Sequence, residues 1–344
     1  IEYNSAGYNG GGVYVISFAT VELLQGSSVS SNTAVDDGGG LFVQESILTV
    51  SASRIDSNSV GVFGGGVCAQ SSATVKLLEG TSVSDNTAVD GGGLYVEESI
   101  LTVSASRIDS NSAGVNGGGV HARTSSVVTL GDGTSVSRNT ARGSGGGLSL
   151  FISSSLTTAG RVRIRTNSAI GGGGSGGGVA ASTSTVRLGA GTTDLSHNTA
   201  AADGGALTLS EGSSLTDAGD AALGCLLTVR HNKAETGNGG GYAVSGDSFV
   251  SLPVSTAVFS QNVAAQQGGG LFIGAGPAEF DSSKAMECSV AKVTFWRLDL
   301  VDNAAPTGDG GGVCVVVYGK YFFVAGCLCN CHDNLRLILK SSVC

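Results

Sequence analysis

Eleven times along this 344-residue chain an apolar residue stands three positions before an asparagine, and a glycine cluster follows a short loop later. The asparagines are Asn4, Asn32, Asn58, Asn86, Asn111, Asn139, Asn167, Asn198, Asn232, Asn262 and Asn303, most of them 25 to 34 residues apart. A unit of that length repeated along a chain cannot bury its apolar face alone, so the units must stack on one another.

Strict alternation follows each glycine cluster. The first residue after it is apolar in every repeat (Val13, Leu41, Val67, Leu94, Val120, Leu148, Val179, Leu207, Tyr242, Leu271, Val313), and so is the residue two further on, from Val15 and Val43 to Val315. The position between them varies through Tyr14, His121, Ser149 and Thr208. Period two places one face inside and one outside. A second strand follows, as in Thr20-Val21-Glu22-Leu23, and a third carries the apolar residue before Asn, as in Ile55, Val83, Ile108 and Phe259. Three short strands and three corners per repeat describe a coil, and coils stacked in register at about 4.8 Å make an all-β parallel solenoid. About eleven coils are predicted over residues 1–312, followed by a cysteine-rich cap or tail over 313–344.

Glycine supplies the left-handed dihedrals that tight corners require and lets backbone pass close to a neighbouring coil. Asparagine also tolerates that region, and its amide can bond the same amide one coil on. The column through Asn32, Asn58, Asn86, Asn111 and Asn139 is therefore read as a structural ladder inside a corner. The run SILTVSASRIDSNS occurs at both 46–59 and 99–112, which marks duplication of a two-coil unit.

No run of about 18 apolar residues exists, so no transmembrane helix is expected. The net charge of −9 argues against nucleic acid as a general partner. The chain opens in mid-repeat, which suggests a fragment or processed product, and no Asn lies in an N-x-Ser/Thr sequon. Cys288, Cys314, Cys327, Cys329, Cys331 and Cys344 crowd the last 57 residues, with Cys68 and Cys225 among the repeats. The spacing Cys327-Leu328-Cys329-Asn330-Cys331-His332 lacks the paired knuckles of zinc sites, so disulfides or free thiols are expected there rather than a metal. A short amphipathic helix is expected over 333–343.

Apolar-x-x-Asn followed by a glycine pair and a strand resembles the repeats of chlamydial-type polymorphic outer membrane proteins. Phe259-Ser260-Gln261-Asn262 matches the F-x-x-N motif of that family and Gly204-Gly205-Ala206-Leu207 its G-G-A-L motif, the other coils being conservative variants. The resemblance covers residues 1–312 and implies a right-handed β-helix that is secreted or displayed at a cell surface, with an adhesive or scaffolding role. It supplies no catalytic residues. Glycine usually replaces the alanine of the second motif, and no segment resembling the transporter barrel of the bacterial proteins is expected within these 344 residues.

Candidate surface residues are few. Arg161, Arg163 and Arg165 alternate with Val162 and Ile164, so the three guanidiniums share an outer face suited to an anionic glycan or a partner's carboxylates. Tyr14, Phe42, Tyr95 and Phe272 occupy the outward column after the glycines and are expected to form an exposed aromatic stripe able to stack on sugars or a surface protein. Asp36, Asp37, Asp90, Asp203 and Asp309 precede glycine clusters; a stacked calcium site is the sharper reading and ordinary turn aspartates the plainer one. Thr20, Thr49, Thr74, Thr102, Thr157 and Thr185 suggest one outward threonine column, interrupted on its neighbour by Glu22 and Lys76, as in surfaces that bind ice. His197 and His231 stand in a variable surface position before the ladder Asn. No catalytic triad, cofactor site or metal site is predicted. The expected function is non-enzymatic adhesion or scaffolding, the alternative being a carbohydrate-active β-helix enzyme that cleaves acidic polysaccharide.

Overall fold

The computed structural model describes residues 1–217, 224–274, 292–316 and 326–328. Every regular element among them is a strand, and no helix is long and apolar enough to cross a membrane. The strands build three sheets that run the length of a parallel β-helix.

Eleven post-glycine strands, from Val13–Val15 to Val313–Val316, pair in parallel and in order. Register keeps like residues in line: Leu41, Val67, Leu94, Val120 and Leu148 are successive partners, each at most 1% exposed. The second, broad sheet holds two strands per coil in the early repeats, such as Thr74–Leu78 and Ser82–Ser84, separated by a bend at Glu79 and Gly80 where both residues have positive φ. Later coils run the two together as Ser155–Arg165, Thr185–Ser196 and Phe249–Ser260. The third sheet is a set of two-residue strands directly after each asparagine, from Ser5–Ala6 to Val263–Ala264. Alternation cannot announce strands of two residues, so the coil has four short strands where sequence pattern indicates three.

One core threads the helix from Val15 to Val313. A single coil gives it Val67, Ala69, Val75, Leu77 and Val83, all but excluded from water. Each large apolar side chain buried this way contributes roughly 1.5–3 kcal/mol. The solenoid extends past the expected boundary at 312, because Val313–Val316 pairs in parallel with Leu271–Gly274. Gly326–Leu328 then pairs antiparallel with Val313–Val316, occupying the outer edge of the post-glycine sheet. Such pairing covers backbone groups that an open edge would expose. The expected helix over 333–343 and Cys288, Cys329, Cys331 and His332 lie outside the described residues.

Candidate functional site

The asparagines form a continuous ladder. Each Oδ1 accepts both the backbone N–H and the Nδ2–H of the asparagine one coil earlier, at 2.9–3.1 Å from Asn4 through Asn303. The second Nδ2 hydrogen goes to a main-chain carbonyl, as in Asn111 to Val83 and Asn139 to Ile108, both at 3.0 Å. Every polar atom of such an amide is used, which explains how these side chains sit almost wholly excluded from water. The left-handed residue at this corner is not the Asn, as its tolerance of that region suggested, but the residue before it: Ser57, Asp85, Arg138, Thr166, His197 and His231 all have φ of 53–58°.

A second ladder runs where the chain enters each glycine triplet. The side-chain oxygen of Asp90 accepts the N–H of Asn116, Asn116 that of Ser144, Ser144 that of Ser175, Ser175 that of Asp203, and Asp203 that of Asn238. At least one neutral residue therefore separates the aspartates from Asp37 to Asp203 in this column: Phe63 bridges to Asp37 on one side and Asp90 on the other. The arrangement does not gather carboxylates for calcium. Among the described residues, no group of three or more His, Cys, Asp or Glu side chains is placed to hold a metal ion. The signal was legible, since a short oxygen-bearing residue precedes most of the glycine triplets.

This corner overturns the expected exposed aromatic stripe. Tyr14 is 52% exposed, but Phe42 and Tyr95 are only 2% and 1% exposed, and Phe272 is half-buried. The rings do line up: Tyr14 stacks on Phe42 with centroids 5.2 Å apart, and Tyr95 on His121 at 5.6 Å. Cys68 breaks the column between them, and Phe63 from the preceding corner lies against Tyr95 at 4.3 Å in its place. The cause is backbone geometry. The first glycine of each triplet has φ near +65° and folds the corner back over the outward residue, so closely that a Cβ on Gly38 would lie 2.9 Å from the Cα of Phe42.

A small polar cluster borders the buried rings. Tyr95 donates its hydroxyl to Glu97 at 3.3 Å, Arg123 pairs with Glu97 at 3.2 Å, and Thr124 donates to the same carboxylate at 3.4 Å. Burial pushes the Tyr95 phenol and the Cys68 thiol up, with the Glu97 charge acting in the same direction on both. Burial lowers His121 to about 4, with the Asp90 charge opposing and Arg123 adding to the fall, and its Nδ1 has no hydrogen-bond partner. Asp37 is raised, mainly by burial, against the hydrogen bond it receives from the Phe63 main chain and with repulsion from Asp36 and Glu97.

The arginine run behaves as alternation demands. Val162 and Ile164 are 1% exposed, whereas Arg161, Arg163 and Arg165 point outward from the broad sheet. Register extends the face beyond the run: Arg54, Ser82, Arg107, Ser135 and Arg163 are successive partners, so arginine alternates with serine coil by coil. Arg138 is paired with Asp109, Arg161 with Asp132 at 3.6 Å and Arg230 with Asp194 at 3.2 Å. Among the described residues, Arg107, Arg163, Arg165 and Arg187 lie outside every ion pair. Arg107 was not singled out by sequence, because only stacking puts it in one column with Arg163, two coils away; Arg187 lies apart, in the first half of its coil, where it partners Thr157.

The threonines fall into two columns rather than one. Thr20 and Thr74 each align with Ile47, whereas Thr49, Lys76, Thr102, Thr129 and Thr157 form the next row. That row is broken by Lys76 and by Arg187, which partners Thr157. No protein-family model, curated protein or solved structure matches this chain.

Proposed function

We propose that this chain is a non-enzymatic β-helix rod, extracellular or displayed at a cell surface, that acts in adhesion or as a scaffold and takes anionic glycan on the arginine face of its broad sheet. The observation that carries this reading is the set of three outward guanidiniums, Arg107, Arg163 and Arg165, outside every ion pair on a chain whose net charge is −9. An unpaired guanidinium keeps its planar fork of donors for a sulfate or carboxylate. Parallel strands hold successive arginines at multiples of about 4.8 Å, so the donors are placed before a ligand arrives. The likeness of the repeats to those of polymorphic outer membrane proteins supports the surface placement.

The test is retention of the protein on sulfated, carboxylated and neutral polysaccharides at rising salt. Retention on the acidic polymers alone, weakening with salt and lost in Arg163→Ala/Arg165→Ala, is the expected result. Equal retention of that variant refutes the assignment of the face.

The raised carboxyl of Asp37, with Glu97 and Arg123 nearby on the outer side of the post-glycine sheet, favours a second reading as a carbohydrate-active enzyme. Shortened or unsaturated chains in the supernatant, absent with Asp37→Asn, would select it.

A further inference from the structure

His197 and His231 hold the same place in consecutive coils, each directly before a ladder asparagine. Both backbones are left-handed, with φ of 57° and 53°, and both side chains stand in solvent. Their rings stack with centroids 4.8 Å apart and planes 23° from parallel. That spacing is the strand repeat itself, imposed by the pairing of Ser196 with Arg230 immediately before. Among the described residues, no ring nitrogen of either has a hydrogen-bond partner.

We propose that His197 and His231 together chelate a divalent transition-metal ion of the zinc or copper class, with water or a partner's donor completing its shell. Neutral imidazole is a preferred ligand for these ions, whereas calcium and magnesium seek oxygen. Partial burial, the neighbouring His231 and the cations Arg230 and Arg165 all lower the pKa of His197, with Asp194 opposing. The two arginines also repel a metal ion, but Arg230 is held by Asp194 at 3.2 Å, which offsets its charge beside the pair. The rigid ladder beneath fixes both backbones, so only the side-chain torsions must change, turning the rings out of their stack to bring one nitrogen from each to a shared ion. This site adjoins Arg165 of the proposed glycan face, but it rests on the two imidazoles and stands or falls without that reading.

The experiment uses the full chain labelled with ¹³C and ¹⁵N at histidine, which gives only four imidazole signals. Zinc chloride is titrated at neutral pH. The signals of His197 and His231 are expected to move together with a single midpoint while the buried His121 stays still. His231→Asn should abolish the shift of His197; asparagine accepts the left-handed backbone, and an unchanged thermal midpoint confirms the fold. Gln261→His adds a third imidazole one coil further on and should lower the zinc midpoint at least about tenfold, the change that one added favourable contact makes. The proposal is overturned if His197 still shifts at the same zinc concentration in His231→Asn. It is overturned equally if only His332 responds.

Discussion

Replacing Asn111 with alanine tests the ladder where it is most deeply enclosed. Its Oδ1 accepts the N–H and the Nδ2–H of Asn86, both at 3.0 Å, and its own Nδ2 donates to Val83 and Asn139. Asn111→Ala therefore strands two buried donors on Asn86 and removes a donor from the Val83 carbonyl. At roughly 1–3 kcal/mol for each stranded group, the two donors alone put the loss at about 4 kcal/mol. Water entering the space left by the amide would soften this, so Asn111→Leu, which fills that space with carbon, should cost at least as much. Urea unfolding followed by circular dichroism measures the loss. Because each coil touches only its neighbours, the transition should also split, the coils around Asn86 and Asn111 opening before the rest. Hydrogen exchange should locate the opening at the Asn86 amide. If Asn111→Leu keeps the parent midpoint and that amide stays protected, the ladder is a consequence of stacking and not a cause of it.

Four further outcomes are expected. A Cβ on Gly92 would lie 2.4 Å from the Ser112 carbonyl, so Gly92→Ala should lose at least about 3 kcal/mol by overpacking, measured as a urea midpoint. A Cβ on Gly93 would lie 2.6 Å from the Gly119 carbonyl, yet Gly93→Ala should lose only about 1–2 kcal/mol, less than Gly92→Ala, because the stack already holds a fully buried Ala206 in the equivalent place. His121 is neutral in the fold until pH falls to about 4, whereas an unfolded histidine takes its proton near 6.5; stability is then full above about 6.5 and declines by about 3 kcal/mol down to pH 4. His121→Phe should flatten that part of the pH profile, and an unchanged slope would contradict the burial argument; Asp37, raised by burial, acts with the opposite sign above its unfolded value of 3.8 and is common to both proteins. Thr166 holds a β-branched side chain at φ of 56°, so Thr166→Asn should stabilise by about 1 kcal/mol in thermal unfolding.

Much of the coil was written in the repeat. Inward columns such as Leu41, Val67 and Leu94 follow from alternation alone, since a period of two leaves no other choice of face. The asparagine ladder follows from spacing, because identical amides one coil apart meet wherever coils stack in register. The two-residue strands after each Asn escaped, being too short to carry a period.

Facing, however, is not exposure. Alternation correctly sends Phe42 and Tyr95 away from the core, but only the folded corner shows that a left-handed glycine brings the preceding residue back over them. The same limit holds for charge. The sequence identifies Arg161, Arg163 and Arg165 as one outer face, while stacking decides that Asp132 pairs with the first, that Arg107 shares the column of Arg163, and that His197 meets His231. Periodicity along the strand is a local property of the chain and can be read from it. What lies beside a residue across the strands depends on loop lengths that shift from coil to coil, and only the assembled stack fixes that neighbour.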